Sequence, residues 1–316
     1  MKNMYKRVQA IDTDTGEILG NILLKEGSEQ LILKVVNEKQ SDAIKKKNSN
    51  NSDIIEHIQK NEGAFVHLIY KYGFPLMDKL QTKCEGNKVN IHIIRFIQLA
   101  TYSTFGGKLF DNNRNEIRKS SLSKIWDTTS RNSINETYKL LIECGYIYET
   151  EEGDIMISED LIIKGVIEDF KKLKKSDADL TYTRIFTKNV QDMYNGTEAK
   201  SRKQLANLFK ILPYINFRYN VFCENPTETN SSKIVPLTWT DLAKVCGYEE
   251  KKHINRFKKD LFKLKIYGYN VIGQFLTDSG YEILVNPKIY YAGDNIKDVE
   301  QLYSMFKMTL NTKTMG

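Results

Sequence analysis

A basic segment towards the C-terminal end of the sequence has side chains of the kind that bind nucleic acid. Residues 251–265 carry seven Lys or Arg side chains against one acid, Asp260, which gives a net charge of +6. Lysine binds phosphate whatever the base, whereas asparagine and arginine can pair with a base edge in the major groove. The segment therefore predicts a DNA-binding helix with contacts from Lys251, Lys252, His253, Asn255, Arg256 and Lys259.

Two plainer interpretations remain open for this segment. Charge runs are usually solvated helix faces, and His253 is more simply explained by a surface or packing role. The apolar residues Ile254 and Leu261 recur at helical spacing, so they should face inward and direct Asn255 and Lys259 outward. A position directly after a turn also favours the DNA-binding interpretation.

A second segment, residues 130–144, predicts another helix of the same kind. Ser130 suits its N-cap and Gly145 suits the left-handed residue that ends it. The helix is neutral, because two basic and two acidic side chains balance. Its side chains can still hydrogen-bond to bases or phosphates, and the predicted contacts are Ser130, Arg131, Asn132, Asn135 and Lys139.

The hairpin predicted after this helix is acidic. Glu149, Glu151, Glu152 and Asp154 surround its turn, and phosphate would repel them. We therefore expect the hairpin to face solvent or a protein partner. Dimerisation or scaffolding is an alternative role for this part of the chain, which makes a homodimer a possible assembly.

The sequence lacks the usual motifs of catalytic and cofactor sites. Residues 106–108 (GGK) lack the first glycine and the following Ser or Thr of a phosphate-binding loop, and no G-x-G-x-x-G occurs. The four histidines form no metal-binding pattern, and the four cysteines are too widely spaced for a zinc site or a disulfide framework. We expect no enzymatic activity, no cofactor and no metal.

Composition limits the class of protein further. The chain has 316 residues, 41% of them hydrophobic, and a net charge of +7. This length suggests about two domains. No stretch approaches the roughly 18 apolar residues of a membrane helix, and the first residues contain no signal-peptide core. We expect a cytoplasmic protein without a membrane partner.

Two stretches of the sequence match two others in the same order. Residues 131–135 (RNSIN) match 251–255 (KKHIN), and residues 155–165 match 283–293. In the second pair, three apolar residues precede a turn-forming residue, and a glycine lies ten residues after the first isoleucine. We interpret the matches as an internal repeat whose second copy carries extra residues.

Each copy predicts the same order of elements, namely a short helix, a turn, a second helix and a two-stranded hairpin. The second helices are residues 131–144 and 251–265, and the hairpins are 146–157 and 270–285. This order is typical of the winged helix-turn-helix domain, whose second helix enters the major groove.

The predicted fold is α+β and helix-rich, with two winged helix-turn-helix domains joined by a helical bridge. Residues 1–53 form a small N-terminal β-hairpin and a flexible basic linker. The remaining predicted segments are the first winged helix at 54–165, the bridge at 166–200, the second winged helix at 201–293 and a tail at 294–316.

Short strings across the chain resemble a known group of proteins. They are residues 11–18 (IDTDTGEI), 98–102 (QLATY), 212–216 (LPYIN) and 285–293 (VNPKIYYAG). On these strings the chain resembles replication initiators and regulatory proteins of Firmicute plasmids and phages that have tandem winged-helix domains. The resemblance implies binding to origin repeats in double-stranded DNA and contact with host replication proteins.

Three functions follow from these observations. The first is sequence-specific binding of double-stranded DNA for plasmid or phage replication initiation. The second is transcriptional regulation, because the resembling group includes regulators. The third is a phage protein-interaction module that uses the winged-helix fold without DNA.

Overall fold

The computed structural model of the chain contains two units, residues 1–57 and 58–316. It describes residues 5–11, 18–25, 54, 56–58, 60–69, 79–84, 88–165, 182–277, 280–293 and 295–308. The first unit contains an antiparallel pair, β1 (Tyr5–Ile11) and β2 (Ile18–Lys25), in which Tyr5 lies opposite Lys25. This pair agrees with the predicted N-terminal hairpin, whereas the predicted basic linker lies outside the described residues.

Helical residues at 58 and 60–62 begin the second unit, and a strand, further helices and a small hairpin follow. The elements of its first half are β3 (Phe65–Ile69), α1 (Val89–Ala100), α2 (Leu122–Ile125), α3 (Arg131–Glu143), β4 (Ile147–Glu149), β5 (Ile155–Ile157) and β6 (Ile162–Ile163).

The second half repeats the helices and the hairpin, and it adds a short strand pair and a final helix. Its elements are β7 (Tyr182–Phe186), α4 (Thr187–Gly196), α5 (Arg202–Ile211), α6 (Trp239–Val245), α7 (Lys251–Phe262), β8 (Lys265–Ile266), β9 (Tyr269–Asn270), β10 (Ile272–Thr277), β11 (Gly280–Val285) and α8 (Ile296–Met308). The architecture is therefore α+β with more helix than strand.

Similar hydrogen bonds lie at or before the start of the two short helices. In the 3-10 turn Lys119–Ser121 that leads into α2, Ser121 Oγ accepts from the backbone N–H of Arg118, and at the start of α6, Asp241 Oδ2 accepts from the N–H of Thr238. The turns that follow contain Asp127 and Gly247, which both have positive φ, at 44° and 80°. Because a left-handed residue ends a helix and redirects the chain, the same backbone geometry leads into α3 and α7.

The two halves meet at a central sheet. β3 and β7 pair antiparallel, and β6 pairs with the other edge of β3. Leu68 of β3 lies opposite Ile162, and Ile185 of β7 lies opposite Tyr290, the repeat equivalent of Ile162. The end of each repeat therefore rests against one of the two central strands.

Helices α1 and α5 also join the halves. The buried Asn90 Nδ2 donates to Asn207 Oδ1 at 3.2 Å between them. One continuous apolar core includes Ile97 of α1 and Leu208 of α5. Since the core is shared, the described residues between 58 and 308 form one compact unit, and the boundaries predicted near 165 and 200 fall inside it.

Two predicted segments differ from the structure. The helical bridge at 166–200 contains the strand β7 before α4, and its residues 166–181 lie outside the described part of the chain. The tail at 294–316 contains α8, whose Val299, Leu302 and Phe306 are buried. These three residues recur at helical spacing, and the Phe306 ring lies 5.4 Å from that of Phe275 on β10.

Candidate nucleic-acid interface

Helix α7 is held in place by its apolar side. Phe257 and Leu261 are buried and Ile254 is half-buried. The Phe257 ring lies 6.4 Å from Trp239 and 5.6 Å from Tyr248. Aromatic contacts at these distances fix the rotation of a helix about its own axis, so α7 presents a defined opposite face to solvent.

All six residues predicted as contacts on α7 are exposed at its surface. They are Lys251, Lys252, His253, Asn255, Arg256 and Lys259. In the helix, Lys252, Asn255 and Lys259 are spaced i, i+3 and i+7 and therefore form one outward stripe. We call these three residues the α7 stripe.

The ion pairs around this stripe are weak. Lys252 Nζ lies 2.8 Å from Glu250 Oε2, and Arg256 Nε lies 3.7 Å from Asp260 Oδ2. The Lys252 and Arg256 side chains stay more than two-thirds exposed in these pairs. Exposed pairs contribute at most about 1 kcal/mol, so both cations can turn to a ligand at little cost.

His253 lies on a different flank of α7 from the stripe. With Tyr248 and Arg256 it lines a cavity of about 370 Å³ beside the first turns of α5. The structure therefore puts His253 at the edge of the predicted contact surface rather than at its centre.

Lys258 belongs to the same basic run but has another role. Its Nζ donates to Gln274 Oε1 at 3.2 Å and lies 5.4 Å from the Trp239 ring. Trp239 Nε1 donates to the same Gln274 oxygen at 3.0 Å. The three side chains tie the hairpin β10–β11 to helices α6 and α7, a contact that the sequence analysis did not anticipate.

The five residues predicted as contacts on the first helix lie at or near the exposed face of α3. Ser130 Oγ accepts from the backbone N–H of Ser133 at 3.3 Å and so caps the helix as predicted. The remaining four predicted residues have exposed side chains, and they are Arg131, Asn132, Asn135 and Lys139.

The C-terminal end of α3 is occupied by ion pairs. Glu143 bonds Lys83 Nζ at 3.0 Å and lies 3.8 Å from Lys139 Nζ. The bond from Lys83 holds the pKa of the Glu143 carboxyl below its usual range. Lys139 therefore has an acidic ion-pair partner on its own helix.

A buried polar cluster supports α3 from beneath. Arg95 Nη1 donates to Ser133 O at 2.8 Å, to Ser133 Oγ at 2.9 Å and to Thr137 Oγ1 at 2.7 Å. His92 Nδ1 lies 2.9 Å from the same threonine oxygen, and burial lowers the pKa of this imidazole. Such a network fixes the position of α3 relative to α1, and no sequence pattern indicated it.

A second network joins the turn before α3 to the other half. Arg202 on α5 donates from Nη2 to Asp127 Oδ2 at 2.7 Å and from Nε to the Tyr194 carbonyl at 3.1 Å. The Tyr194 hydroxyl in turn donates to the Trp126 carbonyl at 3.0 Å. The turn before α3 is therefore held to the start of α5 and the end of α4.

The first hairpin is acidic, as its sequence indicated. The Tyr138 hydroxyl donates to Glu149 Oε2 at 2.7 Å, and Arg118 Nε donates to Asp154 Oδ1 at 2.7 Å. Burial is the larger cause, and the hydrogen bond to Glu149 the smaller one, of a raised pKa of Tyr138. Glu151 and Glu152 are exposed at the tip, so the hairpin presents negative charge to solvent.

The candidate contacts of α3 and those of α7 are not bonded to each other. Within the described ranges, no hydrogen bond or ion pair joins those of α3 to those of α7. The same ranges hold no group of three or more His, Cys, Asp or Glu that could bind a metal ion, and no helix in them is long and apolar enough to cross a membrane. Comparisons with protein-family models, with curated proteins and with solved structures find no match.

Proposed function

We propose that this protein binds double-stranded DNA by sequence and that α7 is the helix that reads it. Each half of the second unit would be a winged helix, with α2–α3 and α6–α7 as the helix-turn-helix pairs and β4–β5 and β10–β11 as the wings. The observation that carries the proposal is the α7 stripe, an exposed row of two lysines and one asparagine on a firmly packed helix.

The chemistry of the stripe suits this role. Lysine donates to phosphate oxygens, and asparagine can donate and accept together at the N6 and N7 atoms of adenine. In helix-turn-helix proteins the second helix enters the major groove with its N-terminal residues nearest the bases. Lys252 and Asn255 belong to the first two turns of α7.

The biological role that we propose is recognition of a replication origin in a plasmid or phage. Support comes from the resemblance described above, together with a second copy of the same helix order. Transcriptional regulation would need the same α7 surface. Direct repeats around the gene would favour the initiator, whereas a divergent promoter that responds to the protein would favour the regulator.

The acidic first hairpin favours a second role for the first half. Glu151 and Glu152 at its tip would be repelled by phosphate. We propose that this hairpin faces a protein, which could be a second copy of the chain or a host replication protein, while α7 holds the DNA.

A charge-removal experiment tests the role of α7. The variant Lys252→Gln with Lys259→Gln should bind duplex DNA more weakly, and its affinity should depend less steeply on salt, by a slope of about 0.9 per lost phosphate contact. The control variant, Lys297→Gln with Lys307→Gln, removes the same charge from exposed positions on α8. Fluorescence anisotropy with a duplex of about three helical turns measures both.

Two results would count against α7 as the DNA-binding helix. One is equal binding by the α7 variant and the wild type over the whole salt range. The other is an equal loss in the α8 control, which would mean that net charge alone governs the affinity.

A further inference from the structure

A groove runs on one side of the α7 stripe, between α7 and the residues that lead from the end of α4 into the first turn of α5. Its volume is about 700 Å³, and the side chains that matter to its chemistry are Ser201, Gln204, Arg256, Lys259, Lys263 and Lys265. We call it the α5–α7 groove. Small-molecule sites of this size are lined mostly by apolar side chains, whereas nine of the twelve residues that line this groove are charged or polar.

Positive charge dominates the groove. Four of its side chains are cationic, and the two acids that also line it, Glu198 and Asp260, have basic partners. Glu198 lies 2.9 Å from Lys200 Nζ, and Asp260 lies 3.7 Å from Arg256 and 3.6 Å from Lys263. An anion in the groove would therefore meet a net positive lining.

The groove is placed beside the proposed reading surface. Arg256, Lys259 and Lys263 follow one another at i, i+3 and i+7 along the flank of α7 that borders the groove. Lys259 belongs both to this flank and to the α7 stripe. The positively charged surface of the protein is thus continuous from the stripe into the groove, and one ligand can contact both.

We infer that the α5–α7 groove binds the phosphodiester backbone of the strand whose bases face the α7 stripe. This inference rests on the proposed function and adds a second DNA-binding surface, which includes the start of α5. Lys263 and Lys265 would contact phosphate oxygens as point charges. The Ser201 hydroxyl and the Gln204 amide supply neutral donors of the kind that commonly contact DNA phosphates.

Phosphate contacts and base contacts have different signatures. A phosphate contact sets affinity and register but carries no sequence information, and it releases counterions when it forms. Removing groove lysines should therefore lower the affinity for every duplex and flatten the salt dependence. The order of preference among sequences should stay the same.

The test compares the variant Lys263→Gln with Lys265→Gln against the α8 control Lys297→Gln with Lys307→Gln in the full chain. Binding is measured by anisotropy across a salt series, with a random-sequence duplex of about three helical turns as the probe. We expect the slope of log affinity against log salt to fall by about 0.9 for each groove lysine and to stay unchanged in the control. Thermal unfolding of both variants checks that they remain folded.

Further outcomes separate this inference from the proposed function. If the wild type binds no duplex, the proposed function fails and the groove assignment fails with it. A second outcome overturns only the groove assignment. In it, the wild type binds duplex DNA, the Lys252 and Lys259 variant binds more weakly, and the groove variant has the same affinity and salt dependence as the α8 control.

Another measurement distinguishes a backbone site from a site for a small anion or an acidic protein segment. Calorimetry with inorganic phosphate should show no binding that depends on Lys263 and Lys265. If the wild type binds phosphate and the groove variant does not, and the salt slope for duplex binding is unchanged, the groove is a small-anion site. If the wild type is a dimer, the groove variant is a monomer and the salt slope for duplex binding is again unchanged, the groove is a protein contact.

Discussion

At the scale of single residues, Lys258 and Ser130 mark what sequence patterns can and cannot assign. Lys258 belongs to the basic run of α7, yet its ammonium group donates a hydrogen bond to Gln274 and lies over the Trp239 ring. A charge count cannot show this, because Gln274 lies on a strand that approaches only in the folded chain. Ser130 was predicted both as an N-cap and as a DNA contact, and the structure has it as the cap.

The cap gives a prediction for Ser130. Ser130→Ala removes the oxygen that accepts from the Ser133 N–H, and the free energy of unfolding should fall by about 1 kcal/mol. Ser130→Asp keeps an acceptor and should retain most of the stability. Urea unfolding measures both variants beside Thr129→Ala, an exposed neighbour that serves as control. Equal stability of the Ser130→Ala and Thr129→Ala variants would contradict the capping role.

At the scale of elements, the helices and hairpins of the repeat were predictable and their connections were not. The second helices were predicted at 131–144 and 251–265 and lie at Arg131–Glu143 and Lys251–Phe262. Strong apolar periodicity makes such helices readable from local sequence, and in α3 the cap Ser130 adds a second local signal. β7 was missed because its pairing partner, β3, is distant in the sequence. α8 was missed although Val299, Leu302 and Phe306 recur at helical spacing.

The central strand pair contains a histidine whose protonation should affect stability. His67 on β3 is buried, with the cations Arg184 and Lys164 near it and the Tyr182 ring 5.0 Å away. Burial and these two charges lower the pKa of His67 from 6.5 to about 3. The folded state therefore resists a proton that the unfolded chain accepts below pH 6.5.

This difference predicts how stability changes in acid. His67 contributes its full stabilisation above pH 6.5, and the contribution is lost as the pH falls towards about 3. Between these two pH values the free energy of unfolding should fall by about 1.4 kcal/mol per pH unit, because the unfolded chain binds one proton more than the folded state. Urea unfolding at several pH values should show a shallower dependence for His67→Phe than for the wild type, with His253→Phe as the exposed-histidine control. Parallel curves for His67→Phe and the wild type would rule out this role.

At the scale of the whole molecule, the two repeats form one body with two different surfaces. α1 and α5 share a core, and Arg202 links the turn before α3 to α5. One surface carries the α7 stripe and the α5–α7 groove, and the other carries the acidic hairpin. The repeat was visible in the sequence because residues 131–135 match 251–255 and residues 155–165 match 283–293. The shared core was not visible, since the buried polar residues Asn90, Arg95 and Asn207 follow no simple pattern.

The central claim is that α7 reads duplex DNA by sequence, and Asn255 is the residue on which base readout depends. Selection of bound duplexes from a random-sequence pool by the full chain tests it, with the wild type and Asn255→Ala compared. We expect the wild type to enrich a common sequence, and Asn255→Ala to lose preference at one position, by about 1–3 kcal/mol, while it keeps its affinity for random duplex. A wild type that enriches no sequence, or an Asn255→Ala variant that enriches the same sequence as strongly, would contradict the claim.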